Sequence, residues 1–314
     1  MAAGPIVWHT SRMPVVSTYK QAGSHVVSRS DLERSLERVR AAVGDPKAGI
    51  HGPGSLSWEL AKEGALFLGG GRAALLQLAH PFVAYAVRDH SHTKADPRRR
   101  FIRTFENVWA MTFGDLDQAF RAARRVHQVH SRITGVIGEE IGSYREGTVY
   151  QANQADALLW VYATLAGTTV QVYELVVGRL GREEKERYYQ ETKLFAYLFG
   201  IPDSIIPADW PGFTHYMETM LASTRIAVAP PAVEVARFVL QSPHPLLIPV
   251  AGWYKVVTAG LLPNRLGRQF GLRFGPADRV LFQTSIRLLH TLLRALPGRL
   301  RYLPAYVAAQ RRLG

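Results

Sequence analysis

Two histidines stand three residues apart in a stretch of the chain whose apolar spacing predicts a helix. His127 and His130 share one face of this helix, which Asp115 or Asp117 can cap at its start. A histidine held by a rigid helix is the usual proximal ligand of haem, and a hydrogen bond to its second ring nitrogen orients it. A lone histidine pair is more often exposed or merely hydrogen-bonded, so the spacing alone leaves both interpretations open.

A preceding helix, predicted to end near residues 113–115, carries three polar side chains of a complementary kind. They are Arg100, Arg103 and Thr104. Arginine pairs with carboxylates such as the propionates of haem, and both residue types can donate hydrogen bonds to an oxidant above the iron. The two helices together have the composition of a buried cofactor site.

Seven short motifs follow one another in order from Leu75 to near Trp210. They are LLQLAHPFVAYAVRDHS (75–91), RFIRT (100–104), FG (113–114), HSRITG (130–135), LLWVYATL (158–165), ERYYQE (186–191) and GIP (200–202). In combination they resemble the family of the latex-clearing rubber oxygenases, which also contains the fungal membrane-bound oxygenase that cleaves a farnesyl side chain in mycophenolic acid synthesis. The resemblance implies an all-helical fold, a non-covalent haem b held by one histidine, and oxidative chemistry on apolar substrates.

The resemblance also assigns the metal ligand. His130 matches the haem ligand of the family, because its H-x-x-[IV]-x-G pattern continues through Ile133 and Gly135. His127 is the fallback ligand. The resemblance thus implies a haem iron held by His130.

The distal side departs from the family pattern at one position. The rubber oxygenases have an arginine, two residues, a lysine and a threonine, and Arg100, Arg103 and Thr104 fall in that pattern with arginine in place of lysine. A guanidinium stays protonated and is a poor metal ligand, so we expect an open or water-bound sixth site, with Arg103 as a charge or donor. The acid that the rubber oxygenases use as a base has no clear match, although Asp89 is nearby in sequence.

Composition excludes several kinds of centre. The chain has no cysteine, which removes disulfides, thiolate-ligated haem, iron–sulfur clusters, covalent c-type haem and cysteine-based zinc sites. A net charge of +13 suggests an anionic partner, and nucleic acid, acidic lipid headgroups and haem propionates are the candidates, with a solvated basic face as the alternative. No recognition-helix motif accompanies the charge, so nucleic acid is not expected as a partner.

Helix signals cover most of the first half of the chain. A capping box beginning at Ser30 predicts the start of the first helix. An apolar helix from Arg72 to about Val87 is predicted to kink where Pro81 follows His80. His80 is interpreted as a hydrogen-bonded core histidine, with a position facing the cofactor as the alternative.

The middle of the chain predicts a connector and a long helix. Residues 139–151 are punctuated by glycine, and no series of strands is apparent. The helix predicted over 157–177 presents Leu158, Trp160 and Thr168, among others, which could line an apolar pocket or pack in the core.

The last part of the chain is both apolar and basic. Residues 245–262 are barely long enough to span a membrane and are interrupted by Pro249 and Lys255, so an interfacial or buried helix is expected. Arginine-rich helices predicted over 276–296 and 304–312 could rest on an anionic membrane or form a solvated basic face.

The sequence therefore predicts an all-α protein, a single large helical domain of about ten or more helices that encloses a haem pocket. Residues 1–29 are assigned to an N-terminal arm and 30–314 to the oxygenase-like domain, of which 245–314 is the basic, apolar portion. The N-terminal residues lack the pattern of a secretory signal, so a cytoplasmic location is expected, with peripheral attachment to a membrane as an option.

Three functions remain open from the sequence. The first is a haem b-dependent oxygenase or peroxidase-like oxidoreductase that uses dioxygen or peroxide on a hydrophobic, isoprenoid-like or lipid-like substrate. The second is a non-catalytic haem-binding or peripheral lipid-docking protein, which would keep His130 and the pocket without turnover. The third, a helical nucleic-acid binder, rests on charge alone. A di-iron carboxylate bundle is disfavoured, because the chain has no Glu-x-x-His pair.

Overall fold

A computed structural model of the protein describes residues 25–90, 97–241 and 244–314, and for 97–104 it describes the backbone alone. The described residues form fifteen α-helices and one two-stranded sheet, which confirms the predicted all-α class. The helices are α1 (Arg29–Ala42), α2 (Leu56–Ala61), α3 (Gly70–Leu78), α4 (Pro81–His90), α5 (Pro97–Phe113), α6 (Leu116–His130), α7 (Ala155–Val176), α8 (Arg182–Tyr197), α9 (Trp210–Ala222), α10 (Pro230–Leu240), α11 (Ile248–Leu261), α12 (Asn264–Gln269), α13 (Pro276–Ala295), α14 (Gly298–Arg301) and α15 (Pro304–Leu313). Short 3₁₀ helices cover Gly64–Gly69, Asp203–Ile205 and Pro245–Leu247.

Helix α7 is the centre of the molecule. Its residues are apolar on nearly every side, and a helix of that composition must be covered all round to keep its surface from water. The 3₁₀ helix Gly64–Gly69 and the helices α2, α3, α8 and α13 pack against it. Trp160 is fully buried in this core and donates from Nε1 to the carbonyl oxygen of Leu76 on α3 at 2.8 Å.

A buried arginine joins three of the central helices. Arg72 of α3 is completely buried and donates from Nε to the carbonyl oxygen of Leu261 on α11 at 3.1 Å, and from Nη1 to the hydroxyl of Thr168 on α7. No carboxylate in the described part of the chain pairs with it, so burial lowers its pKa to about 9 and leaves it charged at neutral pH. Thr168, predicted as a possible pocket residue, is one of its partners in the core.

The apolar segment 72–87 is divided where the sequence predicted a kink. Helix α3 ends at Leu78 and α4 begins at Pro81, so that Ala79 and His80 form the junction. Proline lacks the amide hydrogen and clashes with the preceding turn, but it is well suited to the first position of a new helix. His80 is therefore held in the break between two buried helices.

Two sequence predictions of local structure were wrong. Helix α1 is capped by Ser28 rather than Ser30, because the hydroxyl of Ser28 accepts from the amide of Asp31 while the carboxylate of Asp31 accepts from the amide of Ser28. The connector 139–151 also contains a strand: β2 (Val149–Gln151) pairs antiparallel with β1 (Thr134–Val136). Strands of three residues are too short to give an alternating pattern that could be recognised in the sequence.

Helices α5 and α6 form a hairpin about a two-residue turn. Asp115, one of the two residues predicted to cap α6, does cap it and forms a capping box with Gln118. The Nε of Arg125 on α6 donates to the side-chain oxygen of Asn107 on α5 at 3.1 Å, which fixes how the two helices are aligned. Helix α6 ends at His130.

The basic C-terminal portion is joined to the core by an ion pair. Glu63 is 1% exposed and accepts from Arg301 twice, from Nε at 2.6 Å and from Nη2 at 2.8 Å. Beside it the amide of Leu303 donates to the carbonyl oxygen of Lys62 at 2.8 Å. These contacts connect α14 to the segment that follows α2, so the C-terminal helices form part of the same body.

Arg301→Ala is expected to lower the free energy of unfolding by about 3 kcal/mol, because it leaves the carboxylate of Glu63 buried without a counter-charge. Arg299→Ala, at an exposed arginine on the same short helix, should change stability by less than about 0.5 kcal/mol. Urea unfolding of both variants provides the measurement. Equal stability of the two would show that the pair does not hold the C-terminal portion in place.

Candidate functional site

A cavity lies where the end of α6 meets the start of α1 and the turn after β2. Its volume is about 630 Å³, within the range of roughly 300–1,000 Å³ that is usual for small-molecule and cofactor sites. The side chains that line it include Val27, Leu32, His127, His130, Ile133 and Asn153. The structure therefore brings both predicted histidines to one cavity wall.

His130 has an imidazole that burial keeps neutral. The pKa of His130 is lowered to about 4, mainly by burial and also by the nearby ring of His127, while hydrogen bonding to the side chain of Asn153 acts to raise it. The Nδ1 atom of His130 is buried and forms no well-defined hydrogen bond with the described residues. His130 lines the cavity, and a neutral imidazole is the form of histidine that binds metals.

His127 is occupied in a different way. Its Nε2 lies 2.9 Å from the carbonyl oxygen of Val27, which can only accept, so this nitrogen carries the proton. The side-chain Nδ2 of Asn153 donates to the backbone carbonyl oxygen of His127 at 3.2 Å. His127 thus connects α6 to the segment before α1, and of the two histidines His130 is the better candidate for a ligand.

The small sheet places residues from later in the chain on the cavity wall near His130. Gly135 on β1 faces Tyr150 on β2, and a side chain at Gly135 would collide with the tyrosine ring, because a Cβ there would be 2.5 Å from its hydroxyl. The glycine of the H-x-x-[IV]-x-G pattern is thus required for this close pairing. After β2, the backbone carbonyl oxygen of Asn153 accepts from the backbone amide of Val27 at 2.8 Å. This bond joins the segment before α1 to the turn after β2 and closes the cavity wall.

Several contributors to this site were missed in the sequence. Asn153 and Val27 are 126 residues apart in sequence, and no local pattern marks either of them as a neighbour of His130. Arg124 and Glu33 on another wall form a two-fold hydrogen-bonded ion pair, in which hydrogen bonding to Arg124 holds the pKa of Glu33 below its ordinary value. The sequence offered one signal for these contributors: Arg124 and His127 are three residues apart on one helix and so share a face.

The predicted distal residues lie on the first turns of α5. The bond between Arg125 and Asn107 sets the alignment of the hairpin, and both helices rise 1.5 Å per residue in opposite directions. The backbone of residues 100–104 is therefore level with the last turn of α6, which holds His130. The side chains of Arg100, Arg103 and Thr104 are outside what the structure describes, so their placement towards the site stays a prediction.

Asp89 is engaged in structural contacts. Its carboxylate accepts from the hydroxyl of Tyr150 at 2.9 Å and from Nε of Arg88 at 2.6 Å. Burial acts to raise its pKa, but these two hydrogen bonds outweigh burial and lower it. An acid held as a stable anion between a tyrosine and an arginine is poorly suited to accept a proton, so the structure gives no reason to assign Asp89 as a base.

The candidate pocket residues of α7 do not line this cavity. Leu158 and Trp160 are buried in the main core, where ordinary packing accounts for them. His80 is likewise in the interior, with Nε2 3.2 Å from the hydroxyl of Tyr144, as the interpretation of a core histidine predicted. Its Nδ1 has no hydrogen-bond partner among the described residues.

Two fully buried histidines outside the cavity make stability depend on pH. Burial lowers the pKa of both His51 and His80 to about 4, below the ordinary value of 6.5. In the unfolded chain each binds a proton as the pH falls through about 6.5, whereas in the folded chain it does not until about pH 4. The folded state therefore loses stability as the pH falls from about 6.5 to 4.

His51→Gln is expected to reduce this loss, because glutamine binds no proton in either state. The fall in the free energy of unfolding between pH 7 and pH 4.5 should be smaller in the variant by about 2.5 kcal/mol. Urea denaturation at the two pH values measures it. An unchanged pH dependence would show that His51 is not a buried neutral histidine.

In the described ranges no group of three or more histidine, aspartate or glutamate side chains is placed to hold a metal ion. A haem iron differs from such a centre in requiring only one side chain of the kind that His130 offers. The described cavity wall thus offers the single histidine that a haem iron requires.

Comparison with protein families settles the relationship that the motifs indicated. The family described as "ER-bound oxygenase mpaB/B'/Rubber oxygenase, catalytic domain" matches residues 58–295, which is 238 of the 314 residues. The chain belongs to this family. No curated protein and no solved structure matches the chain. The matched region contains α5, α6 and α7, and so includes His130 and the predicted distal residues.

Proposed function

We propose that this protein is a haem b-dependent oxygenase that acts on a hydrophobic, isoprenoid-like or lipid-like substrate. The family match supports an oxygenase role. The observation that carries the haem assignment is His130, a half-buried neutral imidazole that lines a ligand-sized cavity and whose buried Nδ1 has no hydrogen-bond partner among the described residues. That residue is also the one that the family motif marks as the ligand.

His130 would hold the iron because its competitor in the same turn is already used. The Nε2 of His127 donates to the carbonyl oxygen of Val27, whereas Nδ1 of His130 forms no comparable hydrogen bond with the described residues. Its lowered pKa leaves it ready to bind a metal at neutral pH without losing a proton first. Asn153 is positioned to orient the ring, since its side chain acts on the imidazole from the adjoining wall.

When bound, the haem would supply the redox chemistry with dioxygen or peroxide. The chain would supply donors from the first turns of α5, where Arg100 and Thr104 would position the oxidant and a propionate. Arg103 replaces the lysine of the rubber oxygenases and stays protonated, so it would contribute charge and hydrogen bonds rather than a metal bond.

The substrate is proposed to be apolar on two grounds. The family includes the rubber oxygenases, as its description states. The cavity also presents four aliphatic side chains, Val26, Val27, Leu32 and Ile133, within a lining that is otherwise polar. These side chains offer part of a hydrocarbon chain a surface away from water.

His130→Ala is expected to abolish haem retention, whereas His127→Ala is expected to keep it, because only the first removes the proposed iron ligand. Visible absorption of protein purified from haem-supplemented cells, before and after reduction, measures both. Free imidazole should restore the absorption band in His130→Gly, since it can fill the space that the ring leaves. A band retained in His130→Ala would contradict the assignment, and loss in His127→Ala alone would move the ligand to His127.

Arg100→Ala combined with Thr104→Ala is expected to keep the absorption band but to lower oxidative turnover by about 10²–10³-fold, because the donors to the reacting oxygen are lost. Oxygen uptake and product formation with isoprenoid oligomers and other apolar compounds measure it. Arg121→Ala, at an exposed arginine on α6, is the control and should retain full activity. Normal turnover in the double variant would contradict the distal assignment, and haem retention without any turnover in the wild type would favour the non-catalytic alternative.

A further inference from the structure

The end of the molecule formed by α11 and α13 exposes a run of large apolar side chains. Residues 245–250, which we call the apolar tip, read PLLIPV and include the 3₁₀ turn before α11 and its first residues. Leu246 is 81% exposed, and Leu247, Ile248 and Val250 are each more than half exposed. A soluble surface rarely presents so many consecutive apolar side chains to water without a partner for them.

Helix α13 extends this apolar surface. One side of the helix packs into the protein through Phe282, Ile286 and Leu293. On another side Leu281, Leu288 and Leu292 are exposed, at spacings of seven and four residues that place them in one row, which we call the outer stripe. The outer stripe adjoins the packed side, so the apolar surface of α13 extends beyond the part that the described chain covers.

The apolar tip and the outer stripe lie at the same end of the molecule. Trp253 on α11 donates from Nε1 to the hydroxyl of Ser285 on α13 at 2.9 Å, and Gly260, later in α11, packs against Phe282, earlier in α13. The two helices therefore run antiparallel. Residues before Trp253 lie beside residues after Ser285, which brings the apolar tip to the level of Leu288 and Leu292.

The charges around this surface are almost all of one sign. Residues 242–314 contain eleven lysine and arginine residues and one acid, Asp278. That acid accepts from the amide of Gly275 at the start of α13, which is the end of the helix away from the apolar tip. Arg287 and Arg294 are also exposed on α13, on a different side of the helix from the outer stripe.

We propose that this surface docks on a membrane containing anionic lipids, with the apolar tip inserted among the acyl chains and the arginines of α13 against the headgroups. Aliphatic side chains bordered by arginine, without acids among them, match the layered chemistry of such a membrane. No helix in the described ranges is long and apolar enough to cross a membrane. This docking is independent of the proposed haem chemistry and would give the enzyme access to apolar substrates held in a bilayer.

Sedimentation of the full chain with vesicles tests the proposal. The wild type should sediment with phosphatidylcholine vesicles that contain phosphatidylglycerol, and much less with phosphatidylcholine alone. Leu246→Ser with Ile248→Ser should lower the partition coefficient at least about tenfold, because it removes apolar surface from the tip. Arg287→Gln with Arg294→Gln should lower it by roughly fivefold per arginine, and added salt should reproduce that loss in the wild type.

Two matched controls accompany these variants. Val136→Ser with Val149→Ser removes two aliphatic side chains that are each more than half exposed on the small sheet, and Arg145→Gln with Arg182→Gln removes the same charge elsewhere. Both should bind vesicles as the wild type does. Circular dichroism shows that each variant is folded, and because sedimentation does not depend on the haem, the result is separate from the outcome for His130.

Three outcomes would overturn the proposal. They are the absence of sedimentation with anionic vesicles, equal binding by the wild type and both surface variants, and equal losses in the control variants. Light scattering of the wild type adds a further check. An oligomer that the Leu246→Ser, Ile248→Ser variant converts to a monomer would show that the surface meets a second copy of the chain instead.

Discussion

The need to cover α7 on all sides governs the arrangement of the rest of the protein. The helix has fourteen buried residues and no polar face of its own, so its neighbours must enclose it. Arg72 adds a directional contact to this non-directional packing, because its guanidinium reaches the backbone of α11 and the hydroxyl of Thr168 at once. A buried charge without an acid is costly unless it is hydrogen-bonded, so this residue strongly limits how α3, α7 and α11 can be placed together.

The candidate site lies at the edge of this core rather than inside it. His130 is the last residue of α6, and its surroundings come from the segment before α1 and from the turn after the small sheet. Burial makes the imidazole neutral, while the contact from His127 to Val27 connects the same turn of helix to the rest of the protein. The division of roles between two adjacent histidines, one structural and one available, follows from which carbonyl group lies within reach of each ring.

The C-terminal helices combine a firm attachment with an uncovered outer face. The ion pair of Glu63 with Arg301 and the packing of α13 on α7 hold them to the core. The same helices present the apolar tip and the outer stripe to the outside, in a region with one acid and eleven basic residues. A rigid attachment would allow a surface of this kind to orient the whole domain on its partner, and so to direct the cavity with respect to a source of apolar substrate.

The sequence by itself determined the helical class, the long α7, the break at Pro81 and the family, because helical periodicity, proline and motif order are local properties of the chain. It also identified His127 and His130 as a pair on one face. Only the tertiary structure decided that His127 is bonded to Val27, that Asn153 joins the cavity wall, and that Thr168 belongs to the buried arginine rather than to a pocket. These contacts join residues that are far apart in sequence, so they depend on how the helices pack. The two-stranded sheet was missed for a related reason, since strands of three residues are stabilised by their partners and not by a pattern of their own.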